Sequence, residues 1–279
     1  GEYCKFVKWR VDILKDEFKL ILGKVSVLLQ PLSVEDYEKL AGVESGRCRL
    51  FLNELIGKWI FDKYGDTFWF RHELIRFCIE QNLTEPEKTK YHEAAAQFFQ
   101  QKYDEARKAN EKVDFDVELR CAYHWHFAGK YKESFERNWQ FASFCFDTGW
   151  LDVAEDCYLR AVEAAKRLKD EDSAMVAKGN LARVYRVWGR LDDAYKTNEE
   201  LIEYFREKKD QRNHAVALHQ LAMIEQAKGN YDKASELYNK SLKIDEELGD
   251  KAGISKSLHN LAAIEQAKGN YDKASELYN

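Results

Sequence analysis

The sequence predicts an all-α chain, a stack of paired helices behind a small helical domain that carries one β-hairpin. Three observations predict it. Residues 218–239, LHQLAMIEQAKGNYDKASELYN, return 40 positions later as LHNLAAIEQAKGNYDKASELYN, changed only at Gln220/Asn260 and Met223/Ala263. Apolar residues ahead of each repeat glycine recur at helical spacing, as in Leu181, Ala182, Val184, Tyr185 and Trp188. Only two prolines, Pro31 and Pro86, occur in 279 residues, which suits long helices.

Residues 1–15, opening GEYCKFVKWRVD, form a lead-in segment without a signal-peptide core. The run 16–29, DEFKLILGKVSVLL, reads as an apolar helix stopped at Gln30-Pro31. Ser33 is the expected N-cap of SVEDYEKLAGV, whose acids lie in the first turn where the helix dipole favours them, and Gly42 stops that helix. Residues 44–56 give a third helix with Leu50, Phe51, Leu52, Leu55 and Ile56 apolar. Two aromatic-rich runs then flank Tyr64-Gly65-Asp66, a hairpin signal near residues 58–71. Three helices followed by a hairpin is the order of a winged helix. His72 opens a further helix, HELIRFCIEQNL. Thr84 caps the next, with Pro86 in its first turn. Residues 110–116 read as a charged loop, and two helices broken at Gly129 lead into the repeats.

The repeat frame extends well back. Gly149, Gly189, Gly229 and Gly269 stand 40 apart, each followed five residues on by Ala154, Ala194, Ala234 or Ala274. The glycine ends one helix. The alanine is the small residue expected to be buried where the next helix crosses it. One helix pair of this length cannot bury its apolar face alone, so neighbours must stack.

Composition narrows the function classes. Charged residues are 33% and apolar residues 45%, which fits a solvated globular chain. The net charge is −5, and residues 1–86 hold 13 basic against 14 acidic side chains, which argues against a phosphate-binding protein. No apolar run is long enough to span a membrane. The six cysteines, Cys4, Cys48, Cys78, Cys121, Cys145 and Cys157, contain no C-x-x-C pair and read as reduced thiols, hence a cytoplasmic location. Cys121, His124 and His126 crowd together, but on a helix 121 and 124 share a face that 126 does not, and zinc needs three or four converging ligands. No metal site is expected. G-x-S-x-G and H-E-x-x-H are both missing, so no catalytic set is legible and an enzyme is not expected.

The pattern G-[WRN]-[LY]-D-x-A, as in Gly189-Arg190-Leu191-Asp192-Asp193-Ala194, resembles the tetratricopeptide repeat (TPR) in the long form of kinesin light chains and MalT-type regulators. It departs from the common form of about 34 residues by its longer period and its missing closing proline. The resemblance implies a right-handed α-solenoid of TPR helix pairs whose first helices line a concave groove. The groove positions would be Trp139, Ser143 and Phe146 in the first unit, then Arg183 and Arg186, then His219, Met223 and Gln226, and finally His259, Ala263 and Gln266. Trp139, Phe146, Arg183, Arg186, His219, Met223, Gln226, His259 and Gln266 are the partner-binding candidates, because aromatic, arginine and amide side chains suit a protein or peptide ligand.

A second resemblance joins the two halves. The helix bundle and hairpin, then F-R-H-E-L-I-R, Y-H-E-A-A-A-x-F-F and A-Y-H-W-H-F-A-G-K-Y, resemble in their order the C-terminal half of a STAND signal-transducing NTPase over residues 16–279. That implies a winged helix at 16–83, a connecting helix at 84–112 and a TPR-like solenoid at 113–279 that breaks off within its last repeat. It also implies a sensor and scaffold that relays a trigger to an upstream nucleotide-binding or effector part. No G-x-x-x-x-G-K-[ST] occurs, so ATP or ADP would belong to that upstream part. His72 matches the family's winged-helix histidine and has two readings, a contact to that nucleotide or a cap at the hairpin–helix junction. The alternative function is a winged-helix transcription regulator, with Arg47, Arg49 and Lys58 at the DNA, although Glu44 and Glu54 leave residues 44–58 at only +1. A third possibility is an enzyme with an unrecognised site. The last unit copies the one before it and lacks the polar face of a capping repeat. Further units are therefore expected beyond residue 279, with Leu261, Ile264, Leu277 and Tyr278 presenting apolar surface there.

Overall fold

A computed structural model describes residues 2–278. The chain divides after Phe141 into two compact units. The first unit contains helices α1 (Glu2–Asp12), α2 (Asp16–Ser26), α3 (Val34–Ala41), α4 (Ser45–Gly57), α5 (Glu73–Gln81), α6 (Glu85–Lys108) and α7 (Phe115–Phe127), and most of α8 (Tyr131–Thr148). Strands β1 (Leu32–Ser33), β2 (Phe61–Tyr64) and β3 (Thr67–Phe70) form one antiparallel sheet in the order β1-β3-β2. The hairpin β2–β3 turns at Gly65, whose φ of 59° suits glycine, and pairs Phe61 with Phe70. The sequence reading misses β1. Two residues are too few to show alternation, and they gain strand status only by pairing Leu32 with Phe68.

The caps fall where side-chain chemistry places them. Ser33 Oγ accepts from the Asp36 N–H at 3.1 Å, and Thr84 and Glu87 form a reciprocal capping box. The core of this unit is aromatic. Phe61 meets Phe70 edge-on at 4.7 Å, Phe51 meets Phe18 at 5.3 Å, and the hydroxyl of buried Tyr37 donates to the Phe68 carbonyl at 3.1 Å.

The lead-in residues form α1, with Val7 and Leu14 in the core. Cys4 is bonded to Cys78 of α5, with Cα atoms 5.1 Å apart. This corrects the reading of six thiols, since only Cys48, Cys121, Cys145 and Cys157 are free, all four buried. A separation of 74 residues hid the pair. The bond also removes support for a reducing compartment. Among the described residues, no helix is long and apolar enough to cross a membrane.

The second unit contains the end of α8 and then α9 (Leu151–Arg167), α10 (Glu171–Val187), α11 (Leu191–Glu207), α12 (Gln211–Ala227), α13 (Tyr231–Leu248), α14 (Lys251–Ala267) and α15 (Tyr271–Tyr278). From α9 to α15 each helix packs on the next, which is the stacking that the repeat requires. The repeat glycine takes a left-handed conformation, with φ of 81° at both Gly189 and Gly229. Ala154, Ala194 and Ala234 are completely buried and Ala274 is nearly so, as the helix-crossing role demands.

Polar contacts repeat with the frame. Lys228 pairs with Asp192 at 2.8 Å, and Lys268 pairs with Asp232 one unit later at 2.5 Å. Buried Glu225 accepts from Asn230 at 2.7 Å, and Glu265 accepts from Asn270 at 2.8 Å, locking the chain just after each repeat glycine. One expectation at the end of the chain is corrected. Leu261 and Ile264 are buried in α14, on which α15 packs, while Tyr278 is 48% exposed.

Candidate functional site

Three successive helix pairs place the inward side of their first helices along a groove of about 780 Å³ within the second unit. The first helices α10, α12 and α14 supply most of the wall, and α11 and α13 supply its floor. The backbone register is fixed at the N-termini. Asp170 accepts from the Ser173 N–H at 3.0 Å, Asp210 from the Asn213 N–H at 3.0 Å, and Asp250 from those of Ala252 and Gly253 at 3.1 Å. These recurring aspartates start each first helix at the same point, so residues 40 apart arrive at the same height on the wall.

Five of the expected positions line this groove: Arg183, Arg186, His219, Met223 and His259. Gln226 does not, because it accepts from the Tyr238 hydroxyl at 2.9 Å. Gln266 is exposed outside the lining set. Phe146 sits under the Arg183 guanidinium, 4.9 Å from its ring centroid. Trp139 belongs to the first unit, where its ring lies 5.7 Å from Phe135.

A ladder of amides escaped the sequence reading. Asn180, Gln220 and Asn260 occupy one register in three successive units and all line the groove. The signal was present as a 40-residue recurrence of an amide at a non-core position, hidden because Gln220/Asn260 counts as a mismatch when the two copies are aligned. Asn260 Nδ2 lies 3.2 Å from His219 Nε2, and His219 Nδ1 lies 3.2 Å from Ser257 Oγ. Burial, then Lys256 and Arg186, lower the His219 pKa to about 4, so the ring is neutral at pH 7. The amide must donate to Nε2, so Nδ1–H donates to the serine.

Elsewhere, His72 Nδ1 accepts from the Leu74 N–H at 3.1 Å and caps α5. Arg47 and Arg49 are exposed on α4, next to Leu50, which is 66% exposed. His124 faces His92, their Nδ1 atoms 2.9 Å apart, whereas His126 Nδ1 turns to Ser134 Oγ at 3.2 Å. Among the described residues no group of three or more His, Cys, Asp or Glu side chains is placed to hold a metal ion.

Residues 213–279 match the tetratricopeptide repeat family. The match covers the last part of the groove wall, from Asn213 onward. No curated protein matches the chain. Among solved structures, a signal transduction ATPase with numerous domains and a tetratricopeptide repeat sensor, from Pyrococcus horikoshii, is similar at 17% identity and a TM-score of 0.46. That likeness covers 96% of this chain and 50% of the other, so this chain spans about half of that protein's length. A Rap protein complexed with competence and sporulation factor is similar at 14% identity and a TM-score of 0.49, covering 98% of this chain and 75% of the other. BtubC from P. vanneervenii is similar at 15% identity and a TM-score of 0.45, covering 70% and 89%. The repeats over residues 213–279 are thus of the tetratricopeptide type, within a stack of paired helices.

Proposed function

We propose that the groove of residues 142–278 binds an extended peptide segment of a protein ligand, and that this chain senses or scaffolds rather than catalyses. The observation that carries the reading is the amide ladder Asn180, Gln220 and Asn260, which repeats one hydrogen-bonding group per unit along a single wall. An extended backbone offers a donor and an acceptor at regular intervals, and side-chain amides present both. Apolar Val176, Val216 and Met223 lie between them and supply contact area for side chains.

The finer reading follows the STAND resemblance. Residues 16–83 act as a winged helix, 84–112 as a connector and 113–279 as the sensor of a signalling protein. The winged helix relays occupancy of the groove to an upstream nucleotide-binding or effector part, where ATP or ADP would be bound within reach of His72.

A selection of displayed random peptides on this chain tests the central part. Val216 is 51% exposed and lines the groove, so Val216→Trp fills it from within. Selected peptides are expected to bind the wild-type chain and to lose about tenfold or more in affinity with Val216→Trp. They should bind unchanged to Lys240→Ala, which alters the exposed pair with Glu236 outside the lining set. Failure to select any peptide, or selected peptides indifferent to Val216→Trp, would refute the reading.

A further inference from the structure

The disulfide between Cys4 and Cys78 ties α1 to α5, and little else holds α1 in place. Val7 and Leu14 enter the core, Val11 packs against it at partial burial, and Arg10 Nη1 donates to the Lys58 carbonyl at 3.1 Å. The opposite side of the same helix carries Phe6, Trp9 and Ile13, all exposed, with Trp9 at 60%. A helix of 11 residues is marginal in water by itself. With apolar side chains on both sides, its sequence gives it little preference for one of them, and the bond at Cys4 decides which faces inward.

α1 also walls a cleft of about 430 Å³. Val7 and Val11 line one side, and Ile79, Leu83 and Tyr91 line the other. That far wall is built without α1. Tyr91 packs so tightly on Gly23 of α2 that a Cβ there would come within 2.8 Å of its ring. The bonded pair is also the one that a thiol in solution can reach. Cys78 is fully buried, but Cys4 is half-buried. The other four cysteines are buried, and burial pushes the Cys48 and Cys121 thiols up to about 11, which keeps them protonated and inert at neutral pH.

We propose that Cys4–Cys78 is a reversible redox latch: a dithiol reductant opens it, α1 leaves α5, and the wall of Ile79, Leu83 and Tyr91 is uncovered. One thiolate of the reductant attacks the accessible Cys4 sulfur, and Cys78 leaves as a thiolate that takes up a proton. The second reductant thiol then attacks the mixed disulfide and releases Cys4. Two electrons and two protons pass to the pair, and the reductant departs as a cyclic disulfide. Exchange with an oxidised disulfide runs the same steps backwards and closes the latch. The latch is independent of the peptide groove, which lies in the other unit.

The whole chain, first treated with oxidised glutathione, provides the test. Without denaturant, iodoacetamide should label none of the six cysteines; after dithiothreitol it should label Cys4 and Cys78 and spare the other four. Amide hydrogen exchange across residues 2–12 should then quicken about tenfold or more, and hydroxyl-radical footprinting at Tyr91 should rise. Cys4→Ser should show the fast exchange with or without reductant, while Cys48→Ala should keep the wild-type response. Labelling of Cys4 or Cys78 before reduction overturns the proposal, since the pair would not be bonded. A pair that dithiothreitol opens only in denaturant overturns it as well. So does unchanged exchange in α1 after both thiols are labelled, or quickened exchange with Tyr91 still protected, because the wall would remain covered. The wild-type chain alone decides each of these outcomes.

Discussion

Arg76→Ala is expected to destabilise the first unit by about 3 kcal/mol. Arg76 is 7% exposed and ends in three acceptors. Its Nη1 donates to the Ser26 carbonyl at 2.6 Å and to Glu80, and its Nε donates to Glu73. The Ser26 carbonyl belongs to the last residue of α2, where helical geometry provides no partner. The side chain therefore satisfies a helix end that sits fully buried. Removing it leaves that oxygen without a donor, and alanine cannot reach water on its behalf. The two glutamates lose less, because Glu73 is 61% and Glu80 25% exposed and both can hydrate. Arg76→Lys keeps the charge but not the fork, so an intermediate loss is expected. Urea unfolding of the first unit, followed through its tryptophans, measures this. Equal midpoints for wild type and Arg76→Ala would show that the buried carbonyl finds another partner.

Acid should destabilise the same unit through its buried histidines. His92 and His124 lie with their Nδ1 atoms 2.9 Å apart, and His124 stacks on Phe99. Burial, then Lys88, lowers the His92 pKa to about 4. Burial, then His92 and Arg120, lowers that of His124 well below the ordinary histidine value. Unfolded histidine takes its proton near pH 6.5, so between that value and about 4 the unfolded chain binds more protons than the folded one. The histidine contribution is thus complete above about pH 6.5 and declines as pH falls, with His92 alone accounting for about 3 kcal/mol by pH 4. His219 has the same sign in the second unit. Melting temperatures taken from about pH 7 down to about pH 5 should fall, and His92→Gln should flatten the slope for the first unit. A flat profile for the wild-type chain would mean that the pair is hydrated and free to ionise.

The repeat, the helix caps and the helix order were legible because each is a local instruction. Ser33, Thr84 and Gly42 act on residues within one turn of themselves, and a 40-residue recurrence needs only the eye. What stayed hidden depends on residues that meet only in three dimensions. Cys4 and Cys78 are one example, and the strand pairing of Leu32 with Phe68 is another. The groove was half legible. The helical frame placed Arg183, Arg186, His219, Met223 and His259 on it, because spacing fixes which side of a first helix a residue occupies. It could not place Asn198, a second-helix residue that reaches the groove floor from behind. Gln226 shows the converse, a residue in the right register that the neighbouring Tyr238 hydroxyl engages instead. Left-handed Lys169 and Lys209 were also missed. They end the second helices at the position that Gly249 fills one unit later, and lysine gives no sign of that conformation in a sequence.

The most direct test of the central claim is amide hydrogen exchange on the chain with and without a selected peptide. Ligand seated along the groove should slow exchange in α10, α12 and α14, whose inward residues form its wall, with smaller changes in α11 and α13. Protection confined to residues 2–141, or to α9 and α15 with the groove helices unchanged, would contradict the claim.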